Sequence, residues 1–467
     1  SGDTAVAIAL KKQIIEYIIA SINLVNQRRP KKGEGDVKLY LSVFGSNLGF
    51  IRKEVLGMAK ALNPFRKLVS FALVLIISFA LTGVAVAAED IKVGLVFPRS
   101  GALARLGETT MEGVLLAIED VNKSGGIKSL GGAKLVPVIV DAKDAATTRS
   151  ETERLINREK VKALFGCYSS SYTMIATEVS ERAQVPFFTN SIADEILQRG
   201  FKYVFRMSVP SNIFGKTPID AMIEMSSKIE KPLKRVAIIY EDTSYGTSTS
   251  ESFKKQAIEK GLDVVLFESY RAGITDAGPI VSKIRASKAE VLFPVSYLTD
   301  AVLIIRTMKE TNTNAAIMGG GSGYLMPDTL DIMGEDLNYI FTTACWNHDL
   351  PYPLVNEVNS AYEAKHGEFL QETAGELYAG LWVLKDALER AGTTDGRILR
   401  EYISATDISE GPAAIIQPGR VRFDETGQLI DIFPLLLQWQ SGKLRTVFPS
   451  GAASTESAWP VPDWNKR

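Results

Sequence analysis

From residue 91 onward, short continuous apolar runs alternate with longer stretches in which apolar residues recur every three or four positions. The first run, 91–97, reads as a strand buried on both faces. A Pro98-Arg99-Ser100-Gly101 turn follows, then a helix carrying Met111, Val114, Leu115, Ile118 and Val121 on one stripe. Strands are expected at 135–140, 163–165 and 185–189, with helical stretches between them. Near Val209-Pro210-Ser211 the pattern restarts with a helix over 213–228. Strands over 235–240, 264–267, 291–295 and 315–318 then alternate with helices ending near Lys260 and over 279–286 and 300–310. This is the βαβ order of parallel sheets covered by helices, in two units of similar size with a cleft between them. A strand from Tyr339, helices over 355–364, 374–391 and 398–404, and strand-like 419–423, 433–439 and 446–448 complete the chain. They are too many for one unit's edge, so the chain is expected to return to both units.

Two strand ends carry the candidate chemistry. The run 163–165 ends at Gly166 and opens into Cys167-Tyr168-Ser169-Ser170-Ser171, with Ser171 placed to cap a helix that starts at Tyr172. The next run ends in Thr189-Asn190-Ser191. Ligands of open α/β sheets bind at the carboxyl ends of adjacent strands, and small hydroxyl residues beside free N–H groups can hold a carboxylate or another anion. The same serines would also serve simply as helix caps.

Composition narrows the classes. The 467 residues exceed what one core serves, and 46% hydrophobic with 23% charged residues is ordinary for a soluble globular protein. A net charge of −1 removes the basic excess expected of a nucleic-acid-binding surface. The two cysteines, Cys167 and Cys345, form neither a disulfide framework nor a metal spacing; either they pair in an oxidising compartment or they are small buried hydrophobes. His348 and His366 have no spaced metal partner. The segment 166–170 lacks the glycine frame of a nucleophile elbow. The segment 319–323 has no Lys-Ser/Thr after its glycines, so it reads as a turn and not a phosphate loop. No catalytic residue, cofactor or metal site is expected.

Before residue 89 lies a different kind of sequence. Lys60, Arg66 and Lys67 precede an apolar stretch over 68–81, and Ala85-Val86-Ala87 follows it. A basic segment, a short apolar core and an A-x-A site describe a secretory signal peptide over 58–88, cleaved near Ala87 or Ala88. No cysteine follows the apolar core, so a lipid anchor there is not expected. Residues 1–57 stand upstream of Met58, and Lys53-Glu54-Val55 can be encoded by a ribosome-binding sequence. We read 1–57 as an over-extended reading frame, with an apolar helix over 14–24 to which no function attaches.

The mature chain resembles the type I periplasmic solute-binding proteins of ABC importers, in the leucine/isoleucine/valine-binding family. The resemblance rests on the opening IKVGLVFPRSGALARLG, on GCYSSSYT, VPFFTNSIAD and RVAIIYEDTSYG, and on the terminal VRFDETGQL and LLLQWQSGKL, in that order. It implies an α/β fold of two Rossmann-like lobes with parallel sheets, joined by a three-crossover hinge and closing on a small solute. The lobes would be 89–210 with 342–430 and 211–341 with 431–467, crossing near 209–211, 341–344 and 430–433.

Mapped by this resemblance, Ser170 grips a ligand carboxylate, Ser191 and Ala193 add contacts after the next strand, and Tyr297 and Tyr245 line the second lobe. Ala193 stands where amino-acid binders place a threonine, Gly321 where they place the acid that neutralises the ammonium, and Leu106 where they place an aromatic. A buried ammonium without a carboxylate partner is costly, which argues against free leucine or valine unless Asp242 or Asp300 substitutes. Ser169 suits a carboxylate or amide with Ser170 and Ser191, while Tyr168, Tyr172, Tyr324 and Trp346 are candidate stacking partners.

The expected role is therefore that of a periplasmic, non-enzymatic, monomeric binding protein. It would deliver an amino-acid-like, amide or carboxylate solute to an inner-membrane ABC permease. A ligand-sensing receptor on the same fold is the alternative, and a secreted serine hydrolase a third. Edman sequencing of the secreted protein should begin at about Glu89; a start within 1–57 would contradict the reading of the N-terminal segments.

Overall fold

The computed structural model describes residues 89–230 and 232–467, so the signal segment and residues 1–57 lie outside the described residues. The first sheet has five parallel strands: β1 (Ile91–Phe97), β2 (Leu135–Asp141), β3 (Ala163–Gly166), β4 (Phe187–Thr189) and β5 (Val204–Arg206). Their order is β2-β1-β3-β4-β5. Alternate side chains enter different cores. Val93, Leu95 and Phe97 of β1 and Phe165 of β3 join the main core, whereas Val96 and Leu164 join a second cluster with Val140, Leu155 and Phe187. Burial on both faces is why these strands read as unbroken apolar runs, and it leaves the strand ends as the place for polar residues.

The second sheet holds β6 (Arg235–Glu241), β7 (Asp263–Tyr270), β8 (Val291–Val295), β9 (Ala316–Gly319), β10 (Phe341–Ala344), β13 (Leu435–Gln440) and β14 (Lys443–Phe448). The order is β14-β13-β10-β9-β8-β6-β7, parallel from β6 to β10, with β13 antiparallel to both β10 and β14. β11 (Asp407–Ile408) and β12 (Val421–Arg422) form a separate two-residue ribbon.

The chain passes between the lobes more than once. After β10 it runs through helices Val355–His366 and Glu372–Ala391, and the latter lies along Ala104–Lys123 of the first lobe. A Cβ on Gly113 would stand 2.2 Å from the Ala374 carbonyl oxygen, so only glycine allows this approach. Further on, Gln428 pairs in parallel beside Arg206 at the end of β5 before the chain leaves for β13.

Three local expectations change. The helix expected over 213–228 is two helices, Ser211–Phe214 and Lys216–Ser226, which meet at Gly215. The strand expected over 419–423 shrinks to β12, because Pro418 before it offers no N–H and the Asp424 carboxylate turns the chain by accepting from the N–H groups of Thr426 and Gln428. Of the adjacent leucines on the first helix, Leu116 is buried and Leu115 is only half-buried.

Phe165 is fully buried and stacked on Phe188 with ring centroids 4.9 Å apart. Phe165→Ala should lower unfolding free energy by ~3–5 kcal/mol in urea titrations; a loss under 1 kcal/mol would contradict this packing.

Candidate functional site

Ends of β3 and β4, loops of the second sheet and the first turn of helix Glu372–Ala391 converge on one cavity. Tyr168, Ser170, Asn190 and Ser191 supply the first-lobe wall, and Tyr245, Tyr297 and Gly320 to Ser322 the second. Glu372, Thr373 and Glu376 supply the base. The cavity volume is about 50 Å³.

The hydroxyls of the first wall tie the two strand-end loops together. Ser191 Oγ donates to the Tyr168 carbonyl at 2.9 Å and lies 2.7 Å from Thr173 Oγ1, which accepts the Cys167 N–H. The Ala193 N–H donates to Ser170 Oγ at 3.4 Å. Behind the loop, the buried Arg206 guanidinium donates to the carbonyls of Ile192 and Ala193 at 3.2 and 2.6 Å. That fixes the chain between Thr189 and Ala193.

Tyr168 has a left-handed backbone, φ 70°, which is costly for an aromatic residue and marks a constrained position. Its hydroxyl reaches Ser322 of the second lobe at 2.8 Å, and Ser322 is itself left-handed at φ 50°. The Tyr297 ring lies between those of Tyr168 and Tyr245, with centroids 6.3 and 5.3 Å away. Tyr245 donates to the Gly320 carbonyl at 2.6 Å. Near the cleft, Arg105 of the first lobe pairs with Asp328 of the second at 2.9 Å and with Glu368. The lobes are thus in direct polar contact.

The base carries buried acid. Glu372 accepts the Cys345 N–H. Both oxygens of Glu376 are buried without a hydrogen-bond partner, as are Asn190 Oδ1 and the Tyr297 hydroxyl. Burial pushes the Glu372 carboxyl up to about 7, with the Cys345 N–H opposing. Burial, and then the charge of Glu372, raise Glu376 well above the ordinary glutamate range. Burial also holds the Tyr168, Tyr245 and Tyr297 phenols and the Cys345 thiol in their neutral forms at neutral pH.

Of the residues expected at the site, Tyr168, Ser170, Ser191, Tyr245, Tyr297 and Gly321 line the cavity. Four do not. Ser169 is buried at the N-cap position of helix Ser170–Ala183, and Ala193 stands behind Ser170. Leu106 is buried inside helix Ala104–Lys123. Trp346 is a core residue, because its Nε1–H donates to the Ile415 carbonyl and its ring fills the space where a Gly375 side chain would be. Ser171 does not cap its helix; it lies within the first turn, and its hydroxyl meets Ser244 at 3.3 Å.

Other candidates are engaged elsewhere. Tyr172 donates to the Lys143 carbonyl and Tyr324 to Ser296. Asp300 accepts from Gly273 and Ile274 N–H groups, and Asp242 from Ala272, so neither replaces the missing acid. Cys167 and Cys345 are both free and buried. Sequence reading named the loop of Asn190 but missed Glu372, Thr373, Glu376 and Arg206. The available signal was two glutamates four apart in the first half of a helix whose residues 377–384 are otherwise apolar.

A family model described as periplasmic binding protein matches residues 90–441. The Leu/Ile/Val-binding protein homolog 7 of Brucella suis is 34% identical over 391 residues, 81% of this chain and 96% of that relative. Homolog 8 of Brucella melitensis is 36% identical over 380 residues, 79% of this chain and 92% of the relative. Among solved structures, the branched-chain amino acid transporter substrate binding protein LivJ of Streptococcus pneumoniae, in complex with isoleucine, is similar at TM-score 0.69 and 22% identity, covering 77% of this chain and all of the other. A solute binding protein of an R. palustris ABC transporter, in complex with benzoate, is similar at TM-score 0.68 and 20% identity, covering 79% and 98%. At these identities the structures show the fold.

A carboxyl raised by burial binds its proton more tightly in the folded than in the unfolded chain. Its contribution to stability is therefore full below the ordinary glutamate value of 4.5 and is lost as pH rises towards about 7. Urea midpoints should fall from pH 5 to pH 7.5, and the Glu372→Gln/Glu376→Gln double variant should flatten that fall. Identical slopes in the two proteins would contradict the burial argument.

Proposed function

We propose, from the premise that this chain belongs to the periplasmic binding protein family, that it is the extracytoplasmic solute-binding component of an ABC importer. It captures a small organic solute between its lobes and presents the closed form to a membrane permease, working as a periplasmic monomer without catalysis. The observation that carries this reading is the cavity whose walls come from both lobes, with Tyr168 of one in hydrogen-bond contact with Ser322 of the other. A solute there gains contacts from both sides at once only when the lobes are together, so binding and closure are one equilibrium. The relatives' names support an amino-acid-like solute, and the benzoate complex of a similar fold shows that the architecture also admits a carboxylate without an ammonium.

The division into lobes 89–210 with 342–430 and 211–341 with 431–467 belongs to this proposal. So does the contact role of Ser170, Ser191, Tyr245 and Tyr297. Tyr297 is the most exacting test, because its ring sits between tyrosines of the two lobes.

Small-angle X-ray scattering of the full chain, titrated with a panel of amino acids, amides and carboxylates, should show a smaller radius of gyration with the bound member. Tyr297→Ala should weaken that binding about tenfold or more, in line with ~1–3 kcal/mol for a buried hydrogen-bonding group, and should reduce compaction with it. Wild-type affinity and compaction in the variant would contradict the cleft assignment.

A further inference from the structure

We propose that the cavity recognises the cationic head of its solute, a protonated amine or amidine, through Glu372 and Glu376, and that a carboxylate on the solute is dispensable. This rests on the reading of the cavity as the solute site and names the class of solute.

Three independent features point the same way. First, the acids both line the cavity, Glu376 fully buried and Glu372 half-buried, four residues apart on one helix face, with no cation among the residues that line it. Glu376 has two acceptor oxygens with nothing to accept from, and burying a carboxylate in that condition is costly unless a donor arrives. Second, Asn190, on the first-lobe wall and 4% exposed, presents a carbonyl oxygen that is also unpartnered. Against these three unpartnered acceptors stands the unpartnered Tyr297 hydroxyl, which can donate once, so acceptors remain in surplus on two different elements. Several N–H groups on one cationic centre would satisfy them, whereas a carboxylate would add acceptors to acceptors. Third, the Tyr297 ring lies 6.3 and 5.3 Å from those of Tyr168 and Tyr245, all three lining the same space, and aromatic faces attract cations.

Of the serine hydroxyls that first suggested carboxylate binding, Ser191 is engaged in the protein, donating to the Tyr168 carbonyl, while Ser170 accepts from Ala193 and keeps its own O–H to donate.

A metal ion is the competing occupant, since Cys345, Glu372 and Glu376 can bring one ligand atom each within 4.8 Å of one another. The chemistry disfavours it. Burial keeps the Cys345 thiol protonated, and a thiol ligates as its thiolate. One oxygen of Glu372 already accepts the Cys345 N–H.

The groups facing the glutamates are Cys345 from the segment after β10, Ser208 after β5, Tyr168 after β3, and Tyr245 and Tyr297 from the second lobe. All are neutral at neutral pH, so the glutamates are the groups whose ionisation a bound cation changes. Binding should release a proton, and affinity for a cation should rise between pH 6 and pH 8.

Isothermal titration of the full chain with three matched probes separates the heads: L-leucine, 3-methylbutylamine, which lacks the carboxylate, and 4-methylpentanoate, which lacks the ammonium. The amine should bind at least tenfold tighter than 4-methylpentanoate at pH 8. It should release protons, seen as a dependence of the measured heat on buffer ionisation enthalpy, and lose at least tenfold in Glu376→Gln. That variant removes a buried ionisable group and should melt no lower than the wild type at pH 8. Preference for 4-methylpentanoate over the amine would overturn the inference while leaving the cleft as a solute site. A zinc or magnesium titration that saturates and is reversed by EDTA, with no amine binding, would overturn it in favour of a metal site. Silence towards every probe and every amino acid, amide or carboxylate of the wider panel would overturn both the inference and the solute-site reading.

Discussion

The docking of helix Glu372–Ala391 against helix Ala104–Lys123 is the contact on which the site depends. It joins a late part of the chain to the first lobe at a distance that Gly113 alone permits, with the Ala374 carbonyl where a side chain would otherwise stand. Ala374 lies between the two glutamates that line the cavity, so the register that lets the helices touch is also the register that turns Glu372 and Glu376 inward. A rotation by one residue would carry both acids to a different face. The same helix start is tied to the first lobe by Thr110 and Thr373, whose hydroxyls are 2.6 Å apart.

Around that anchor, the fold separates stability from chemistry. The strands of the first sheet bury side chains on both faces, which leaves no free sheet surface for a polar site. Polar groups collect where the strands stop. There the hydroxyls and the Arg206 guanidinium fasten the loops to each other, and the tyrosines reach the other lobe. On the first wall the Ser191 hydroxyl is already spent on the Tyr168 carbonyl. The base is different, because its acceptors are left unsatisfied.

Much of this was legible in the sequence, for identifiable reasons. Continuous apolar runs give buried parallel strands, and β1, β3, β6 and β8 lie where the runs 91–97, 163–165, 235–240 and 291–295 put them. The strand-end rule located Tyr168, Ser170 and Ser191, and the resemblance to binding proteins located Tyr245, Tyr297 and Gly321. What failed were residues whose role depends on contacts distant in sequence. Trp346 looks like a stacking surface until Gly375 and Ile415, both far along the chain, enclose it. Leu106 occupies a position that is aromatic in amino-acid binders, yet here its helix turns it into the core. Glu372 and Glu376 escaped because the acid was sought at Gly321, while the chain supplies carboxylates from a helix about fifty residues later, on a different wall.

The account stands on those two carboxyls being desolvated and short of donors, and a carbon-13 NMR titration of the glutamate side chains in the ligand-free full chain measures that directly. Assigned through the Glu372→Gln and Glu376→Gln variants, both resonances should titrate above the ordinary glutamate range, Glu372 near neutrality. Titration of both carboxyls near 4.5, as for glutamates in water, would mean that the base of the cavity is wet and would contradict the account.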